Sequence, residues 1–207
     1  NDNPQASERS SDEYAMNRRA GTQIDDARRG EPAALAELWR THQAQLLRYL
    51  RVRRIREPAD VASQVWIDVA GSIARFEGDE ADFRRWLFTI AHRRSVDDVR
   101  RSVRRSATLA ALDATGASMT SDADAPDVVL ERETGLDRAL AMLTDLPPDM
   151  AEAVSLRVIG DLTFADVAAV MSCTEGNARV LVHRGLKRLA QTLAVTKPDV
   201  AAMDAVQ

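Results

Sequence analysis

Between Thr174 and Leu193 the sequence TEGNARVLVHRGLKRLAQTL sets Asn177, Val180, Arg184, Lys187, Arg188 and Gln191 at spacings of three and four, with Arg179 and His183 at the flank. On a helix those positions share a face. Arginine can pair bidentately with guanine, and lysine and arginine neutralise phosphates. Val180 cannot hydrogen-bond, but it can touch a thymine methyl. Ala178, Leu181, Val182, Leu186, Leu189 and Leu193 form a packing stripe on the other side. A solvated basic face on an ordinary bundle would show the same pattern. The residues upstream favour nucleic acid: LTFADVAAVM can cap on Thr163 with Asp166 three residues later, SCT makes a short turn, and Thr174 caps the next helix. A helix, a short turn and a basic second helix make a helix-turn-helix, whose second member enters the major groove.

A second basic cluster lies far upstream: Arg84, Arg85, Arg93, Arg94, Arg100, Arg101, Arg104 and Arg105, interrupted by Asp97 and Asp98. Such density along one helix fits a phosphate-tracking surface. Phe76, Phe83 and Trp86 border it. Aromatics can stack on unpaired bases, yet at helical spacing they more often belong to a core; Phe83 is assigned to the core and Trp86 stays open between the two roles. Catalysis has no comparable footing. His42, His92 and His183 are far apart, and none sits in an acid–base, nucleophile or metal motif. Cys173 is the only cysteine, with no zinc-ligand spacing around it, and reads as a small structural thiol. No glycine loop that would hold a nucleotide phosphate is present. The expectation is a protein that is not an enzyme and uses no cofactor or metal.

The elements that must position these residues are helical. PAALAELWRTHQAQLLRYLRVRR opens with Pro32 in a first-turn position and repeats Leu35, Leu38, Trp39, Leu46, Leu47 and Leu50. A second helix is expected from Pro58 to about Phe76, with Val61, Val65, Val69 and Ile73 at four-residue spacing, and a third from about Asp82 to Arg104. GLDRALAMLTDL and PDMAEAVSLRVIG supply two more, the latter stopping at Gly160. No strand-like alternation competes.

Charge divides the chain. Residues 23–106 carry 17 arginines against 13 acids, whereas residues 107–133 carry one arginine against six acids. A formal net charge of -4 therefore hides a basic half and an acidic middle. The middle, rich in Ser, Thr, Gly and Asp, reads as a linker; its acidity can be simple solvation or can mimic nucleic acid in a basic channel. The expected organisation is all-α, with two small cores: a flexible tail over 1–22, a helical bundle over 23–106, a flexible acidic linker over 107–133, a helix-turn-helix domain over 134–196, and a tail over 197–207. Apolar runs are far shorter than a membrane span, and the N-terminal residues lack the apolar stretch of a secretory signal, so no membrane insertion and a cytoplasmic location are expected.

DVASQVW, RFEGDEADFRRWLFTIAHRRSVDDVRR and LTFADVAAVMSCTEGNARVLVHRGLKRL together resemble the extracytoplasmic-function group of sigma-70-type sigma factors, over about residues 28–105 and 134–193. The resemblance implies a bundle equivalent to sigma region 2, which binds core RNA polymerase and recognises and opens the minus-10 element, and a region 4 that recognises the minus-35 element. It places Asp60, Gln64, Trp66 and Asp68 toward the beta-prime subunit of the polymerase. Thr174, Asn177, Arg179, Val180, His183 and Arg184 would face minus-35 DNA, with Lys187 and Arg188 as outer phosphate contacts. Phe76, Trp86, Arg93, Arg94, Arg100 and Arg101 would serve minus-10 binding or melting. The linker would occupy the RNA-exit path, and an anti-sigma factor would be a further partner besides core polymerase, through its beta and beta-prime subunits, and promoter DNA. Ser63-Gln64 stands where the family commonly has glutamine and an acid, Arg93 where it often has an amide, and Ser172 where it often has a turn glycine. The alternatives are a stand-alone helix-turn-helix regulator with an N-terminal sensing or protein-binding domain, and a purely protein-binding adaptor.

Overall fold

The computed structural model describes the backbone of residues 23–113 and 135–196, and the side chains of residues 23–105 and 135–194. A short helix over residues 23–28 leads into α1 (Pro32–Val52), α2 (Pro58–Ser72), a 3-10 turn (Ile73–Arg75) and α3 (Glu80–Asp113). The second half holds α4 (Gly135–Thr144), α5 (Pro148–Val158), α6 (Phe164–Met171) and α7 (Glu175–Thr196). No strand occurs among the described residues. The expectations for the tails, and for the linker from residue 114 onward, lie outside them.

Local chemistry accounts for the boundaries. Proline occupies the first turn of α1, α2 and α5, where its missing N–H costs nothing. α2 gives way to the 3-10 turn before Phe76, which is extended. The helix therefore ends short of the expected Phe76, and its last turn tightens. α3 begins on an aspartate cap: Asp79 Oδ1 accepts from the amides of Ala81 and Asp82 at 2.9 and 3.0 Å. It runs on to Asp113 instead of stopping near Arg104, taking in the first residues assigned to the linker; ATLAALD is rich in alanine and leucine, the strongest helix formers.

The helix-turn-helix caps form as expected. Thr163 Oγ1 accepts from the Asp166 amide at 3.2 Å while the Asp166 carboxylate accepts from the Thr163 amide, a reciprocal capping box. Ser172 takes the left-handed conformation that ends α6, and Thr174 Oγ1 accepts from the Asn177 amide at 3.2 Å to start α7. Thr163→Ala removes one cap and is expected to cost about 1 kcal/mol in equilibrium urea unfolding, while Thr163→Ser stays near wild type. Equal losses for both would mean the hydroxyl is not what holds this end.

Both expected helical domains form, and where they meet their cores merge. The largest buried cluster runs through both halves: Leu38, Leu46, Tyr49, Phe83, Leu87 and Phe88 from α1 and α3 join Ala153, Leu156, Leu162 and Val167 from α5, α6 and the turn between them. A second cluster sets Val52, at the end of α1, among Leu140, Leu143, Leu146, Ala151 and Val154. α6 lies on α3, and α4 and α5 lie on α1. Some stripe residues are not core. Trp39 is 46% exposed, and Leu186 and Leu193 also face solvent, because the helices that cover α1 and α7 reach only part of each stripe. α7 packs instead through Ala178, Val182 and Gly185; a Cβ on Gly185 would come within 2.6 Å of the Val154 side chain, so glycine permits close approach to α5.

Candidate nucleic-acid interface

The second helix of the helix-turn-helix presents Asn177, Val180, His183, Arg184, Lys187, Arg188 and Gln191 to solvent, opposite the face buried on α5 and α6. This is the face that the spacing marks as basic. Thr174 sits at its start, committed as cap but exposed. Arg179 is differently placed. Its guanidinium bonds Glu175 at 2.8 Å and lies 4.8 Å from the centroid of the Phe164 ring, so it is held against α6 by contacts within the motif. A base contact by Arg179 would have to replace those.

Two grooves of the N-terminal half hold sequence-predicted site residues. One lies between the start of α2 and the middle of α3, where Asp60, Gln64, Arg94 and Arg101 share a wall with Arg56 and Arg105. The fold thus brings two candidates for polymerase contact beside two for DNA contact. Arg94 grips Asp68 through Nε and Nη2, at 2.6 and 2.5 Å, and this bond to Asp68 holds the guanidinium even more firmly in its charged form. Asp68 and Arg94 are therefore largely spent on each other. Trp66 is buried, with its indole N–H donating to Gln43 at 2.7 Å, which leaves little of it for a partner. Arg93 and Arg100 are exposed on α3.

The other groove surrounds the extended segment after the 3-10 turn. Phe76 and Trp86 stack at 5.0 Å between centroids, with Arg75, Asp82, Arg85 and Thr89 around them. Phe76 is buried, so in this arrangement it supports Trp86 instead of offering a free face; Trp86 is half-buried. Phe83, fully buried, closes the cluster edge-on to both rings, in keeping with its assignment to the core. Arg93 does not line this groove. Beneath it, His42 is buried with its Nε2 2.9 Å from Glu80, a close polar approach without hydrogen-bond alignment.

One polar cluster has no counterpart in the spacing arguments. Glu152, on α5, is only 3% exposed. Its Oε1 accepts from the Tyr49 hydroxyl and from His92 Nδ1, both at 2.7 Å, and its Oε2 accepts from Arg53 at 2.5 Å. All three donors come from α1, the residue that ends it, and α3. Burial raises the Glu152 carboxyl pKa, but the His92 bond, the Arg53 charge and the Tyr49 bond outweigh it and hold the group below its usual range. Burial, followed by the Glu152 charge, pushes the Tyr49 phenol well above its ordinary value.

The signs fix the pH behaviour. A depressed carboxyl contributes stability above its unfolded pKa, near 4.5, and loses it as pH falls through the folded value. A raised phenol contributes fully below 10 and loses its contribution at more alkaline pH. Urea midpoints are expected to fall below about pH 4.5. Glu152→Gln should flatten that acid limb; an acid limb of unchanged slope would remove Glu152 as its source.

The comparisons with known proteins bear on both halves. Residues 38–105 match the family model described as Sigma-70 region 2, and residues 136–189 match Sigma-70, region 4. The chain is 26% identical over 177 residues to the RNA polymerase sigma-H factor of Pseudomonas aeruginosa, covering 82% of this chain and 91% of that one. It is 29% identical over 178 residues to the ECF RNA polymerase sigma factor BldN of Streptomyces coelicolor, covering 82% and 64% respectively. Among solved structures, CnrH, determined in complex with the cytosolic domain of CnrY, is similar at a TM-score of 0.57 and 19% identity over 86% of this chain and 98% of that one. The sigma factor RpoE of Bartonella quintana, determined with the anti-sigma factor NepR, is similar at 0.50 and 23% identity, over 77% and 99%.

Proposed function

The chain belongs to the extracytoplasmic-function group of the sigma-70 family, and from that membership we infer its work: it is an RNA polymerase sigma factor that directs promoter-specific initiation by binding core polymerase and the minus-10 and minus-35 elements. What carries the inference is the pairing of two matched regions in order, one an arginine-rich bundle and the other a helix-turn-helix with both threonine caps formed. Chemistry stays with the polymerase. The chain supplies recognition and captures bases, and it is not itself a catalyst.

Placement and the family resemblance support the following residue roles. Residues 23–106 form the minus-10 and polymerase-binding unit, residues 134–196 the minus-35 unit, and 107–133 a connector that runs in the RNA-exit path, between tails at 1–22 and 197–207. Arg184, Asn177, Val180 and His183 meet base edges, and Lys187 and Arg188 neutralise phosphates. Trp86, backed by Phe76, takes the unpaired base, and Arg93, Arg100 and Arg101 track the backbone along α3. Asp60 and Gln64 meet the polymerase, with Asp68 holding Arg94 beside them. An anti-sigma factor is the expected protein partner. Among the described residues no helix is long and apolar enough to cross a membrane, and the site of action is where the polymerase is, the cytoplasm.

The test adds the purified chain to sigma-free core polymerase with a genomic promoter library and maps transcript starts. Starts at a shared pair of elements are expected. Duplex binding without initiation would point to a stand-alone regulator, and binding to neither DNA nor polymerase to an adaptor.

A further inference from the structure

The second helix of the helix-turn-helix opens on a charged pair that its basic face does not account for. Glu175 is the first residue of α7, and its Oε1 accepts from Arg179 Nη2 at 2.8 Å. An exposed pair at this i, i+4 spacing adds little stability, so holding the helix together is a poor account of it. A lone carboxylate at the N-terminal end of a DNA-reading helix would weaken binding, because it meets phosphates of its own sign.

The surroundings of Arg179 remove that objection. Its guanidinium lies 4.8 Å from the centroid of the Phe164 ring. That ring is itself anchored: it packs against the large buried cluster, and Arg157, bonded to the Leu162 carbonyl at 3.2 Å, lies over it at 5.5 Å. Stacking fixes the plane of the Arg179 guanidinium, and the carboxylate takes one of its edges. Arg179 is therefore a fixed counter-charge for Glu175. The paired carboxylate still has acceptor capacity, since among the described residues only Oε1 is bonded and the side chain is 52% exposed. An ionised carboxylate accepts and never donates, so in the major groove it suits the cytosine N4 amino group. Guanine and thymine present acceptors that repel it, and adenine sets its N7 acceptor beside the amino donor.

Resting on the sigma-factor reading above, we propose that Glu175 is a specificity-determining residue of the minus-35 unit, accepting from a cytosine N4 amino group, and that Arg179, stacked on Phe164, is the positioning residue that holds it and compensates its charge. The first turn of α7 then selects an amino donor, while Arg184, further along the helix, suits guanine.

The experiment uses the full chain with core polymerase on a promoter taken from the mapped starts, with every single-base-pair variant of its minus-35 element. Wild type is expected to prefer cytosine at one position by about tenfold, the worth of one hydrogen bond to a charged group. Glu175→Ala levels that position, and Glu175→Gln, whose amide both donates and accepts, moves the preference toward adenine. N4-methylcytosine at the same position keeps its base pair but puts a methyl group where the free N–H pointed into the groove. It is expected to weaken wild type about tenfold and to leave Glu175→Ala unchanged. Arg179→Ala should weaken every variant by a similar factor without changing their order, because it removes charge and no base contact. Arg179→Lys should recover much of that loss, and Glu175→Ala combined with Arg179→Ala should bind better than Arg179→Ala alone, since no bare carboxylate is left. A wild type without a cytosine preference, a preference that survives Glu175→Ala, an N4-methyl group without effect, or a guanine preference lost in Arg179→Ala would each overturn the assignment. Absence of initiation by wild type counts against the sigma-factor reading instead, and the same substitutions are then scored on a duplex that the chain selects from random sequence, where base preference is still read.

Discussion

Phe88→Ala is expected to lower the unfolding free energy by about 3–5 kcal/mol, measured by equilibrium urea denaturation. Phe88 is fully buried in α3, edge-on to Tyr49 at 5.4 Å between centroids. On its other side is Gly160, just past α5, where even a Cβ would come within 3.1 Å of the ring. The ring therefore fills space between the two halves, and alanine leaves a cavity that neither helix can close without moving the other. A single shared core also predicts that the loss appears in one cooperative transition. A loss below about 1 kcal/mol, or a transition that splits with only the first part shifted, would mean that the C-terminal half does not pack on this ring.

Helix positions were open to sequence reasoning because they depend on neighbours in the chain. Pro32, Pro58 and Pro148 start helices, Thr163 with Asp166 makes a capping box, and Thr174 starts α7, all through contacts within four residues. The exposed basic face of α7 was legible for the same reason: periodicity separates two faces of one helix. It does not say what covers the apolar one. Trp39, Leu186 and Leu193 belong to apolar stripes yet face solvent, and Phe76 and Trp66, read as contact residues, are buried against Trp86 and Gln43.

Glu152 shows the same limit from the polar side. Within MAEAVSL it reads as one more solvated acid, and the only hint is that Ala151, Ala153, Val154 and Leu156 leave it little polar company. Its partners are about 60 to 100 residues away in sequence, at His92, Arg53 and Tyr49. Pairing across that separation depends on tertiary placement. The shared core escaped for the same reason, since charge counting divides the chain where composition changes while burial follows what touches.

Arg184→Ala is expected to weaken binding to a minus-35 duplex by about 1–3 kcal/mol and to relax preference at one base pair. Arg184 lies on the exposed face of α7, one turn beyond Val180 and two beyond Asn177, and is not tied down as Arg179 is by Glu175 and Phe164. A guanidinium free to meet a base edge bidentately discriminates; one that meets only phosphate does not. Lys187→Ala supplies the contrast. It should weaken all duplexes about equally and reduce the slope of log K against log salt by about 1, the mark of one lost phosphate contact. Filter binding or fluorescence anisotropy with single-base-pair variants at two salt concentrations separates the two. Arg184→Ala with an unchanged order of preference among the variants would remove it as a base reader and move specificity to Asn177, His183 and the methyl contact open to Val180.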